Sequence, residues 1–159
     1  MTTVEAAFAV HGVQRGDVLA AVDAGEIVGA LDVSASSGRV MRELRFPSVT
    51  LAEWVQGVRR ERSAGELAEL IFGKAGAVVG SVKRQHVRRM LNVSEDLLTD
   101  LLKLSGERGL RLQEGCKLGA KSFTGNSPLI RWSELVRWLG VRRLDFTGGM
   151  GPSAQTQTK

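Results

Sequence analysis

Four cations crowd one short stretch of this chain: Lys83, Arg84, Arg88 and Arg89. At that density lysine and arginine do one kind of chemistry well, neutralising phosphate oxygens by charge and by hydrogen bonds. Arg84 with Arg88, and Gln85 with Arg89, are four residues apart and so are neighbours on a helix. Lys103 follows, then Arg111, Lys117 and Lys121 in a Gly-containing stretch. Nearer the N-terminus stand Arg15, Arg39 and Arg42. All of these are candidate contacts to double-stranded DNA. The competing reading of the Arg84/Arg88 set is a solvated helix face with no partner.

No other chemistry is legible. His11 and His86 lie far apart and Cys116 stands alone, so no metal-ligand spacing exists. His11 sits where the local pattern wants leucine and reads as a packed core histidine. Gly73-Lys74 lacks the earlier glycine and the following Ser/Thr of a phosphate loop. Ser122 and Ser127 have no nearby histidine. The expectation is a protein that is not an enzyme and carries no cofactor or metal.

The charge is unevenly placed. Residues 1–57 hold four arginines against seven acids, a net of −3, while residues 82–159 hold 14 bases against seven acids, a net of +7. Such asymmetry suits a C-terminal half that faces a polyanion and an N-terminal half with a different task. The composition is globular, 43% apolar and 25% charged, without a membrane-length apolar run. A single cysteine excludes an internal disulfide and suggests a reducing compartment, so a cytoplasmic location is expected.

The elements that must position these cations come from an internal repeat. Val13, Val18 and Val22 match Val93, Leu98 and Leu102 at a constant spacing of 80. Each copy then has a polar, Gly-containing stretch and ends in a helix centred on tryptophan. Leu51 and Trp54 match Leu135 and Trp138 at 84, so the second copy carries four extra loop residues.

Within the first copy the pattern predicts a helix from Val4 to His11, with Ala7 and Val10 inward, and a Gly12-Val13 turn. A second helix from about Asp17 to Ala24 stops at Gly25. Strands over 27–31 and 40–46 form a hairpin, and a helix follows with Leu51, Trp54, Val55 and Val58 on its apolar face. Ser63 and Glu66 have the spacing of a capping box for a helix through Phe72, which Gly73 and Gly76 end. Residues 76–80 read as a turn or short strand. Ser81 caps the next helix, with Val87, Met90 and Leu91 inward. Core packing is expected for Trp54 and Trp138, with Trp132 more exposed. The Gly-, Ser- and Thr-rich residues 146–159 read as disordered. The units are then 1–60, a helical linker 61–80, 81–145, and the tail.

This order resembles the excisionase and MerR-like winged helix-turn-helix family, twice in tandem. The matching residues are His11-Gly12-Val13-Gln14 through Gly25 with Leu51-Trp54-Val55, and Leu91-Asn92-Val93-Ser94 through Ser105 with Leu135-Trp138-Leu139. The chain also looks like the C-terminal part of TniQ-type transposon targeting proteins. The resemblance implies a mainly α fold with β-hairpin wings, a recognition helix in the major groove and a wing on the neighbouring backbone. It implies a DNA-binding regulator or an accessory factor of recombination or transposition.

One departure matters. The second presumed recognition helix exposes Glu95, Asp96 and Asp100 beside Ser94, Thr99 and Lys103, and carboxylates among phosphates repel. That favours the alternative, a protein-interaction adaptor in a nucleoprotein assembly. In the first copy Phe8 stands where the second has Arg88. It is either an exposed contact to a protein partner or a second copy of the chain, or it tucks under the 66–72 helix as core.

Overall fold

The computed structural model describes residues 1–35, 42–113 and 128–145. Among them the chain is mainly helical, with eight helices and two antiparallel two-stranded sheets. The first half contains α1 (Val4–His11), α2 (Arg15–Asp23), β1 (Leu31–Asp32), β2 (Leu44–Arg45) and α3 (Ser48–Val55). Two helices follow, α4 (Ala64–Phe72) and α5 (Lys74–Val79). The second half contains β3 (Ser81–Lys83), α6 (Arg84–Leu91), α7 (Glu95–Lys103), β4 (Leu129–Arg131) and α8 (Trp132–Arg142).

The element boundaries keep the spacing of the sequence repeat. α1 and α6 are 80 residues apart at both ends, as are α2 and α7; α3 and α8 begin 84 apart. The turns agree as well. Gly12 (φ 68°) closes α1, and Asn92 (φ 56°) closes α6, both left-handed. Asparagine is one of the few residues with a Cβ that visits this region readily. The bridge Thr2↔Phe46 recurs as the β3–β4 pair Val82↔Ile130.

Two apolar clusters hold the fold. The first gathers Val4, Ala7, Val18, Ala21, Val22, Ile27, Phe46 and Leu51. The second gathers Val87, Leu91, Leu98, Leu101, Leu110, Ile130, Leu135 and Trp138, together with Leu67, Ala68, Ile71 and Phe72 of α4. Leu31 and Val33 of the first half also pack into it, so the two halves share apolar surface. The Ser63–Glu66 capping box forms as expected, each residue bonding the other's backbone N–H.

A second seam joins the halves. After α8 the chain runs beside residues 29–31, with Leu144 N–H donating to Ala30 O at 2.8 Å and a Leu31↔Arg143 bridge. Gly29 sits in this seam at φ 77°, where a Cβ would lie 2.7 Å from Leu67 Cδ2. Both the backbone angle and the space demand glycine.

Several expectations are corrected. The first hairpin pairs only Leu31↔Arg45 and Asp32↔Leu44. Gly25 and Gly29, both at positive φ, keep residues 27–30 in a turn, and Ile27 enters the core from there. Ser81 pairs with Arg131 in β3 and caps nothing; α6 begins at Arg84. Gly76 lies inside α5, so residues 76–79 are helical, and Gly73 and Gly80 (both φ 92°) bound the helix. Val55 and Val58 are exposed, because α3 ends at Val55 and Gly57 turns the chain away. Val10 is 72% exposed and His11 half-buried, since Val4 and Ala7 alone carry the inward face of α1. The expected core packing of Met90, Trp54 and Trp138 holds: the first two are half-buried against the clusters, and Trp138 is fully enclosed. The tail 146–159 lies outside the described residues.

Candidate nucleic-acid interface

The helix pair α6–α7 carries Arg84, Arg88, Arg89 and Lys103, and Lys83 immediately precedes α6. Val87 and Leu91 on α6 and Leu98 and Leu101 on α7 are buried in the same apolar cluster. Ser94 caps α7 by accepting the Leu97 N–H at 3.1 Å. This packing leaves Lys83, Arg89, Lys103, Asp96 and Asp100 exposed.

Arg84 and Arg88 are placed differently. Arg84 Nη1 donates to Glu95 Oε1 at 2.5 Å, and its Nη2 donates to Thr99 Oγ1 at 2.9 Å. Arg88 Nε lies 3.3 Å from Glu95 Oε2 and donates to Gln85 Oε1 at 3.0 Å. Gln85 Nε2 also donates to Glu95, at 3.0 Å. Hydrogen bonds from Gln85 and Arg84, with the charges of Arg84 and Arg88, hold the Glu95 carboxyl below its usual range. One glutamate thus occupies two arginines and ties the start of α7 to α6. Arg84 is neither a free phosphate ligand nor a solvated face: its Nε is buried without a hydrogen-bond partner.

The corresponding contact in the first half has its polarity reversed. Arg15 on α2 donates to Glu5 on α1 at 3.0 Å, at the positions matching Glu95 and Gln85. Arg42 is paired with Asp23 at 3.0 Å. Arg39, Lys117 and Lys121 lie outside the described residues. Arg111 is exposed beside α8, where its backbone N–H donates to Glu134 Oε2 at 2.9 Å. Phe8 is 53% exposed on α1, so it does not tuck under α4.

Two arginines that enlarge the basic count of the second half are interior. Arg142 is 1% exposed, lies 5.4 Å over the Trp138 ring, and donates to the carbonyls of Arg108, Asp32 and Ser34. Burial pushes its pKa down to about 10, with the charge of Arg108 adding to the effect, so it is still charged at neutral pH. Arg143 pairs with Asp145 in the seam between the halves. The signal for Arg142 was in the spacing: Leu135, Trp138, Leu139 and Arg142 share one face of α8.

Among the described residues no three His, Cys, Asp or Glu side chains converge on a metal position. No helix among them is long and apolar enough to cross a membrane. The chain matches no protein-family model, no curated protein and no solved structure.

Proposed function

We propose that this chain binds double-stranded DNA, as a regulator or accessory factor of recombination or transposition. It does so with two tandem winged helix-turn-helix units, residues 1–60 and 81–145. The observation that carries the reading is how charge is divided on α6–α7. Glu95, the carboxylate nearest the turn, is neutralised by Arg84 and Arg88. Lys83, Arg89 and Lys103 stay exposed without an ion pair among the described residues. That lowers the electrostatic objection to placing this helix pair against phosphates, though Asp96 and Asp100 keep base reading by α7 weak. The recurrence of helix, left-handed turn, helix, paired strands and helix supports the tandem architecture.

A mobility-shift titration of a mixed-sequence duplex at two salt concentrations tests this. Binding should weaken by about a decade or more over a fourfold rise in salt if several phosphates are contacted. No shift at low salt refutes the reading.

The second reading is a protein-docking role for the first unit, whose residues 1–57 carry a net charge of −3. α1 exposes Ala6, Phe8, Ala9 and Val10 together, and a helix apolar on its outer face is ordinarily covered.

A further inference from the structure

We infer that a groove between residues 111–112 and the start of α8 is the principal seat for the DNA backbone. This rests on the DNA-binding reading. The groove encloses about 400 Å³ and is lined by Arg111, Leu112, Arg131, Ser133, Glu134 and Arg137.

Its rim is ordered by one arginine that makes four hydrogen bonds. Arg137 donates to both oxygens of Glu134 at 2.7 and 2.8 Å, and to the carbonyls of Glu107 and Gly109 at 2.7 and 2.8 Å. Glu134 also accepts the Arg111 N–H, which fixes the backbone of that residue against α8. The strand side is fixed by Gln113 N–H donating to Leu129 O at 2.7 Å. Arg137 and Glu134 therefore cancel and build the wall. The side chains of Arg111 and Arg131 remain exposed and have no ion pair or hydrogen bond among the described residues. Ser133 is exposed and lines the same groove. Two guanidinium groups unpaired among the described residues, and a hydroxyl, on one concave surface fit a phosphodiester oxygen pair.

The first half lacks the α8 side of this groove. At the spacing of 84 that relates α3 to α8, Pro47 stands in place of Arg131, Val49 in place of Ser133 and Glu53 in place of Arg137. The groove also differs from the α6 cations. Arg84 and Arg88 there are taken by Glu95, whereas here the carboxylate is taken by an arginine that lies outside the free pair.

The test is fluorescence anisotropy of a labelled mixed-sequence duplex with wild type, Arg111→Ala/Arg131→Ala and Lys83→Ala/Arg89→Ala. The groove variant should bind at least about tenfold more weakly at moderate salt, equally for unrelated sequences, and its salt slope should fall by about two. Its thermal midpoint should match wild type, because both side chains are exposed. Wild-type binding that survives in the groove variant overturns the inference but leaves the DNA reading standing, and loss confined to Lys83→Ala/Arg89→Ala moves the seat to α6. No wild-type binding overturns both. Inorganic phosphate at constant ionic strength should not displace the duplex; displacement would make the groove a small-anion site and overturn the assignment.

Discussion

Arg143 and Asp145 form a two-point ion pair at 2.9 and 3.0 Å, with side chains 3% and 0% exposed. Asp145 Oδ2 also accepts the Gly29 N–H at 2.5 Å, and Arg143 Nη2 donates to Arg62 O. The pair therefore fastens the end of the chain after α8 to the turn before β1 and to the approach to α4. Buried pairs add little over an apolar substitute, but removing one partner strands the other charge. Asp145→Ala is expected to cost about 3–5 kcal/mol, read from chemical denaturation. A loss below about 1 kcal/mol would show that the seam relaxes and lets water reach Arg143.

The clamp at Glu95 gives a pH signature. Its folded pKa lies below the ordinary value of 4.5. For a depressed carboxylate the stabilisation is present above the unfolded pKa and is lost as pH falls through the folded one. Glu95→Gln should therefore melt below wild type at neutral pH, and the gap should narrow as pH falls below about 4.5. A gap that stays constant across that range would mean that the ionisation of Glu95 contributes nothing to it. The Glu95 side chain is half exposed, so the effect on the midpoint is small.

Two glycines inside helices should respond oppositely to alanine. At Gly76 a Cβ would lie 2.7 Å from Val82 Cγ2 and 2.9 Å from Trp132 Cζ3, so α5 rests directly on that pair. Gly76→Ala should destabilise by about 1–3 kcal/mol despite the better helix propensity of alanine. At Gly140 in α8 the nearest neighbour is Ala64 Cβ at 3.9 Å, an ordinary contact. Gly140→Ala should stabilise by about 0.5–1 kcal/mol. Thermal melts of the two variants decide it, and a shared sign would refute the packing of α5 described above.

The mainly helical fold with short strand pairs was legible because the repeat spacing survives in the structure to the residue. Val18 with Leu98, and Leu51 with Leu135, are buried at matched places. The Ser63 cap was legible because its chemistry is local. What failed depends on partners distant in sequence. Ser81 reads as a cap until Arg131 is seen paired to it, 50 residues on. The Gly76-Val79 stretch reads as a turn because nothing nearby reveals that Val82 and Trp132 need a flat surface there. At the candidate site, the cations on α6 were found by spacing, but which of them are spent was not. Glu95 was counted as a repellent carboxylate and is the partner of Arg84 and Arg88. Arg131 was missed because it ends the short strand after Pro128, outside any charge cluster.

Phe8 decides what α1 is for. It is 53% exposed beside Val10 at 72%, and the matching position on α6 is Arg88, a polar residue suited to water. Leaving this apolar surface wet costs roughly 25 cal/mol for each Å² that a partner could cover. If the first unit docks a protein or a second copy of the chain, Phe8→Asp should abolish that association and leave the melting temperature within a degree or two of wild type, since a surface substitution changes stability by about 0.5 kcal/mol or less. Sedimentation velocity over a range of concentrations measures self-association, and the same variant in a melt measures folding. A melting temperature lowered by several degrees would place Phe8 in the core instead. A chain that is monomeric at all concentrations in both forms removes the second copy as the occupant and leaves only a different protein to cover α1.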